Sequence, residues 1–146
     1  MNKRVYKKGQ ANISFGMIFS IILIIIFLVF GFYAIKKFID LQQTIQIEQF
    51  LKDFQNDVDK MWKSVQGSQE VSYTLPKKAT AVCFENDEFQ NLRFVSENPI
   101  PGKQINHLDI INTIGNSNSL CIENTDGKIK MRITKGYGET LITVSE

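Results

Sequence analysis

The chain of 146 residues has room for one domain of ordinary size. Its formal net charge of +2 conceals an uneven distribution, because residues 1–37 hold six basic side chains and no acidic one. The remaining residues hold 11 basic and 15 acidic side chains, and this acidic balance argues against a nucleic-acid-binding surface.

The most apolar part of the chain lies near its N-terminus. Residues 9–35 carry no charged side chain and include the run IILIIIFLVF. As a helix this segment is roughly 40 Å long, enough to cross a hydrocarbon core of about 30 Å. A buried core helix is the alternative, but so small a chain cannot enclose a cylinder that is apolar on every face. We therefore predict a transmembrane helix over residues 10–37.

The flanking charges predict the orientation of this helix. Four basic residues fall within the first eight positions, whereas only Lys36 and Lys37 closely follow the apolar run. This bias places the N-terminus in the cytoplasm and residues 38–146 outside the cell membrane. The apolar run is too long for the core of a cleaved secretory signal, and no small-x-small site follows it. We therefore expect a retained, single-pass anchor.

After the span the apolar residues become periodic. They recur at intervals of three and four residues, at Ile47, Leu51, Phe54, Val58, Met61 and Val65. This spacing is typical of an amphipathic helix with one buried stripe. No proline or glycine occurs from Phe32 to Gln66, so the pattern predicts that residues 38–66 continue the helix of the span. Phe50 and Trp62 widen the stripe, and we expect both to pack in the core.

From Val71 onward, short runs rich in β-branched and aromatic residues predict strands. These runs are VSYTL, ATAVCF, NLRFV, SLCIEN, KIKMRI and TLITV. The pair Asp126-Gly127 lies between two of them and predicts a hairpin, while QINHLDIINTIG predicts a short helix closed by Gly115. We expect an α+β fold, in which residues 67–146 form an antiparallel sheet of four or five strands against the helical stripe.

The two cysteines, Cys83 and Cys121, each stand near the end of a predicted strand. Strand alternation puts both on one face, and the opposite face takes the better core candidates, Val82, Phe84, Leu120 and Ile122. Paired cysteines persist as disulfides on the outer side of a membrane, so we predict a bridge; two unpaired, half-buried thiols are the alternative. With one distant histidine the pair lacks the ligand spacing of a zinc site, and we predict no metal.

Few residues are suited to catalysis. His107 is the one histidine, and we interpret it as a surface or capping residue near Asp109. No phosphate-binding glycine loop, HExxH motif or Cys-x-x-Cys pair occurs in the sequence. We expect a protein that is not an enzyme and that has neither a cofactor nor a small-molecule substrate.

Small residues within the span suggest a helix-packing surface. Gly16 and Ser20 are four residues apart, a small-x-x-x-small spacing that lets a second helix approach closely. The alternative is that both face lipid and contact no other helix. Residues 9–35 hold no charged side chain, which argues against a transporter or channel.

The stretch KKGQ, residues 7–10, stands directly before the apolar run. A basic leader, a small residue, a polar residue, a long apolar helix and then a β-domain form an order that resembles archaeal type IV pilins and pilin-like proteins. In that resemblance KKGQ is a class III signal peptide, which a prepilin-type peptidase cuts after Gly9. Lys7 and Lys8 then hold the site on the cytoplasmic side, and Gln10 becomes the first residue of the mature chain.

The same resemblance implies a filament, in which residues 10–35 of many copies pack side by side and the β-domains face outward. The sequence departs from the family pattern at Ser14, the fifth mature position, where many members carry a glutamate that neutralises a neighbour's new N-terminus. Asn12 takes the third mature position, where the archaeal pattern often has serine. The alternative is an unprocessed bitopic membrane protein that displays a small β-domain for binding or scaffolding.

Overall fold

A computed structural model describes residues 14–146 of the chain. The predicted leader, residues 1–9, and the first four residues of the predicted span therefore lie outside the described residues. The chain divides into two compact units, one ending at Asp40 and the other comprising Leu41–Glu146.

The first helix, α1, runs from Phe15 to Lys63. At its start the Ser14 carbonyl accepts hydrogen bonds from the backbone N–H groups of Met17 and Ile18. At its end the hydroxyl and the N–H of Ser64 both donate to the Met61 carbonyl, which closes the last turn three residues earlier than the sequence predicted. Val65, predicted to be the last residue of the buried stripe, lies beyond this end and is 75% exposed.

The remainder of the chain forms six strands and one short helix. The strands are β1 (Gly67–Thr74), β2 (Ala79–Glu85), β3 (Leu92–Ser96), β4 (Ser119–Glu123), β5 (Lys128–Lys135) and β6 (Thr143–Ser145), and the helix is α2 (Ile110–Ile114). They confirm an α+β layout, and each of the six predicted runs contributes to a strand. The prediction of a single sheet is wrong, because the strands form two antiparallel three-stranded sheets with the orders β1-β5-β6 and β3-β2-β4.

The turn at Asp126-Gly127 connects a strand of one sheet, β4, to a strand of the other, β5. Both residues have positive φ, 53° and 80°, which is the backbone geometry of a tight type I′ turn. The turn therefore forms as its residues require, and one bridge, Thr125 to Lys128, closes it. The hairpin prediction is nevertheless wrong, since β4 leaves the turn to pair with β2 while β5 pairs with β1 and β6.

The second half of α1 supplies one wall of the core. Phe50, Leu51, Phe54, Val58 and Met61 are buried, and Ile47 packs against the same cluster. Apart from Val65, the predicted stripe therefore faces inward. The helix covers the apolar faces of both sheets, which stabilises all three layers by removing their apolar surface from water.

Phe54 is fully buried and packs on aromatic rings from three elements. Its ring centroid lies 5.9 Å from that of Phe50 on the same helix, 6.0 Å from Tyr73 on β1 and 5.8 Å from Phe84 on β2. Because β1 and β2 belong to different sheets, this one side chain contacts both sheets from the helix.

A buried asparagine holds the segment that leads to α2. The Asn91 side chain donates to the Ile105 carbonyl at 2.8 Å and accepts from the Ile105 N–H at 2.7 Å. Both polar atoms of the amide are thus satisfied in the interior. Asp109 caps α2 by accepting from the Asn112 N–H, and Gly115 closes the helix, as the sequence predicted.

Tyr73 joins β1 to the helix by a polar contact at the edge of the core. Its hydroxyl donates to Asp57 Oδ2 at 2.8 Å. Burial, and next the hydrogen bond to the Asp57 carboxylate, raise the pKa of the phenol far above its ordinary value. The folded state therefore keeps Tyr73 protonated at a pH where the unfolded chain releases the proton.

This difference predicts an alkaline loss of stability that depends on Tyr73. The stabilisation that comes from the raised pKa is fully present below about pH 10. As the pH rises further, the free energy of unfolding decreases by up to about 1.4 kcal/mol per pH unit. Tyr73→Phe is expected to lower the free energy of unfolding by about 1 kcal/mol at neutral pH, through loss of the hydrogen bond. The measurement is urea unfolding of wild type and variant in detergent from pH 7 to 11.

The stability difference between the two proteins is expected to shrink above pH 10, because the variant has no phenol to ionise at this position. Tyr137→Phe is the matched control, since Tyr137 is exposed and surface changes of this kind fall within about 0.5 kcal/mol. A difference that stays constant up to pH 11 would contradict the predicted coupling.

Candidate functional site

The most distinctive surface of the chain is the first part of α1. Every large apolar side chain from Phe15 to Phe38 is exposed, and none of the most apolar stretch is buried against other described residues. Within residues 14–146, α1 is the one helix long and apolar enough to cross a membrane. Soluble proteins rarely expose so large a continuous apolar area, and a lipid environment removes its contact with water. The helix is therefore compatible with a single-pass membrane anchor.

The predicted packing pair lies on this helix. Ser20 donates its hydroxyl to the Gly16 carbonyl at 2.8 Å, and both residues are exposed. The hydroxyl is thus satisfied within the helix itself, which removes the cost of placing it in hydrocarbon. A Cβ added at Gly16 would meet only Ser14 Oγ, at 3.7 Å. This face of the helix has no bulky side chain at Gly16 and no polar group at Ser20 that needs an outside partner.

Cys83 and Cys121 form a disulfide in the second unit. They are direct cross-strand partners in the register of β2 and β4. Cys121 is exposed, as the alternation predicted, but Cys83 is buried, because it lies on the central strand between Cys121 on one side and Arg93 on the other. Of the four predicted core residues, Val82, Phe84 and Ile122 are buried, and Leu120 is half-buried at the edge of the same cluster.

His107 and Trp62 contact each other, although nothing in the sequence predicts this contact. Their rings stack with centroids 4.0 Å apart and planes 5° apart, and His107 Nε2 lies 3.9 Å from Asp59 Oδ1. Trp62 is 39% exposed and lies at the border of the core, where the prediction had placed it inside. His107 does not cap α2; Asp109 does. No local pattern indicates this stack, since 45 positions separate the two rings in the chain.

The remaining predicted site residues fall outside the described part of the chain. Lys7, Lys8, Gly9 and Gln10, which form the predicted processing site, precede residue 14. Among residues 14–146, no group of three or more histidine, cysteine, aspartate or glutamate side chains is placed to hold a metal ion. The candidate functional features are therefore the exposed apolar helix and the disulfide-bonded unit that follows it.

Comparison with protein-family models, with characterised proteins and with solved structures finds no match to this chain.

Proposed function

We propose that this protein is a pilin-like surface subunit, anchored by residues 10–37, processed after Gly9 and assembling through its apolar helix. The observation that carries the proposal is the exposure of every large apolar side chain from Phe15 to Phe38, on a helix whose second half supplies one wall of the core in the unit Leu41–Glu146. A helix of this kind needs apolar surroundings in both of its settings, lipid before assembly and copies of itself afterwards.

The sequence before the helix supports the same proposal. KKGQ has the residue order of a class III signal peptide, and cleavage after Gly9 would remove four of the six positive charges that precede Phe38. Without those charges the helix loses its electrostatic attachment to the cytoplasmic face of the bilayer. Gly16 and Ser20 would then supply the surface on which a second helix packs closely.

We further propose that the second unit is non-catalytic and faces the outside of the cell. The disulfide supports this placement, since cross-strand pairs of this type persist in oxidising surroundings. The positive N-terminal flank supports the same orientation. In this arrangement the unit comprising Leu41–Glu146 is the displayed part of each subunit.

The experiment is the intact mass of the protein isolated from the membrane and surface fractions of its native cells. A chain beginning at Gln10 is the expected result. A Gly9→Val variant, which replaces the small residue before the cut and leaves all charges unchanged, serves as the matched control and should retain residues 1–9.

Two other masses would overturn the proposal. A wild-type chain that still carries residues 1–9 would make the protein an unprocessed membrane anchor. A chain that begins after Ala34 would identify the apolar run as an ordinary secretory signal, and no anchor would remain for assembly.

A further inference from the structure

The outer side of strand β1 is a free sheet edge. β1 is the end strand of its sheet and pairs with β5 alone. With eight residues it is the longest of the four edge strands in residues 14–146; β3 and β4 have five residues and β6 has three. A long edge strand presents a row of backbone groups on which another strand can pair.

The register shows which backbone groups face this edge. The Leu75 N–H donates to the Gly127 carbonyl at 2.9 Å, and Leu75 and Gly127 continue the pairing of β1 with β5 by one position. Hydrogen-bonded pairs alternate along an antiparallel ladder, so the odd-numbered residues of β1 bond to β5. The N–H and C=O groups of Ser68, Glu70, Ser72 and Thr74 therefore point to the free side.

This edge lacks the features that usually prevent strand addition. Its register with β5 runs without a bulge, and the strand contains no proline and no lysine. Its one charged residue, Glu70, is held by Arg132 at 2.5 Å. The other side chains next to the outward-pointing backbone groups are small hydroxyls, which do not obstruct a partner strand.

A groove beside the edge indicates the chemistry of the partner. It has a volume of about 370 Å³ and lies between helix α1 and the end of β1, with Gln46, Gln49 and Asp53 on the helix side and Ser72 and Thr74 on the strand side. Asp53 is half-buried, and no hydrogen bond or ion pair joins its carboxylate to another residue within 14–146. No lysine or arginine lines the groove.

We propose that the free edge of β1 binds an extended peptide segment of another protein, which pairs with β1 as an added strand and places a lysine or arginine over Asp53. Side chains of an added strand alternate between two faces, so the residue opposite Tyr73 points to the helix side and into the groove. A cation at that position complements the Asp53 carboxylate, and the two glutamine amides supply further hydrogen-bonding groups. The proposal does not depend on processing after Gly9.

The test uses the full chain in detergent and three labelled peptides, acetyl-Thr-Val-Thr-Xaa-Thr-Val-Thr-amide with lysine, glutamine or glutamate at the central position. Fluorescence anisotropy measures binding. The lysine peptide is expected to bind more tightly than the glutamine peptide by about threefold, and the glutamate peptide most weakly. Amide hydrogen exchange at Glu70, Ser72 and Thr74, the outward-pointing amides that a heptapeptide centred on Tyr73 covers, is expected to slow by about tenfold or more with saturating lysine peptide.

A substitution in the protein and a modification of the peptide separate the contribution of the Asp53 charge from that of the backbone pairing. Asp53→Asn should remove the preference for lysine over glutamine and leave binding of the glutamine peptide unchanged, whereas Glu88→Gln, on an exposed turn, should alter neither. N-methylation of alternate amides in the lysine peptide should abolish binding, since it removes the donors that pair with β1.

Several results would overturn the proposal. Equal affinity for the lysine and glutamate peptides would exclude the role of Asp53, and unchanged exchange at the amides of Glu70, Ser72 and Thr74 would exclude strand addition. Tighter binding of a peptide with the sequence of residues 67–74, together with dimers of the full chain, would assign the edge to a second copy instead.

Discussion

Replacing Phe54 with alanine is expected to lower the free energy of unfolding by about 3–5 kcal/mol. The side chain is fully buried and packs on Phe50, Tyr73 and Phe84, so its removal leaves a cavity where the helix meets both sheets. The measurement is urea unfolding in detergent, followed by the fluorescence of Trp62, the one tryptophan of the chain. Because Trp62 stacks on His107, its emission reports on the packed state of the second unit.

Phe89→Ala is the matched control. Phe89 lies on the turn between β2 and β3 and is 82% exposed, so its removal is expected to change stability by less than about 0.5 kcal/mol. Equal stabilities of the two variants would contradict the assignment of Phe54 to the centre of the core.

Loss of the Cys83–Cys121 bridge is expected to lower the free energy of unfolding by about 3–4 kcal/mol, because the bridge closes a loop with a sequence separation of 38 residues. In the chain-entropy account the bridge acts by restricting the unfolded chain. The double variant Cys83→Ala with Cys121→Ala tests this by its urea midpoint, compared with that of the oxidised wild type.

A reducing agent distinguishes loss of the bond from loss of side-chain packing. It should lower the midpoint of the wild type towards that of the double variant and leave the variant itself unchanged. If the reduced wild type were as stable as the oxidised protein, the bridge would contribute no stability.

The helical and strand segments could be predicted from the sequence because their signals are local. The spacing of Leu51, Phe54, Val58 and Met61 repeats with the helical period, and it identifies the buried face of α1. The β-branched runs identified the six strand regions in the same way. Alternation correctly placed Val82 and Ile122 in the core, but it did not predict the burial of Cys83 on the other face of the central strand β2.

The division into two sheets could not be predicted, since it depends on strand pairs far apart in the chain. Asp126-Gly127 adopts the turn that its residues favour, yet the same turn serves a hairpin and a crossing between sheets equally well. The choice is made by β4 pairing with β2 and β5 pairing with β1. Local turn chemistry carries no information about those partners.

The ends of elements and the contacts at the border of the core were also missed. Val65 fits the period of the stripe, but the Ser64 hydroxyl bonds to the Met61 carbonyl and ends the helix before it. His107 contacts Trp62 from a backbone conformation with a φ of 65°. No sequence pattern predicted this conformation. Both outcomes depend on single hydrogen bonds or dihedral angles and not on a repeat.

Two features of the candidate site, the apolar span and the cysteine pair, could be predicted from the sequence, because each follows from the types of residue present and their number. The free edge of β1 could be identified only from the structure. Its outward backbone groups are known only once the pairing with β5 is known, and the position of Asp53 beside it depends on how the helix lies on the sheet.

The bridge between β2 and β4 also has a consequence for the chain under tension. A force applied between helix α1 and strand β6 passes through the covalent link from Cys83 to Cys121, so the loop between them bears no load. That loop would otherwise add roughly 130 Å of contour length on full extension. With the bridge intact, strands β2 and β4 remain tethered at Cys83 and Cys121 after their hydrogen bonds break, and a stretched molecule can refold from a shorter chain.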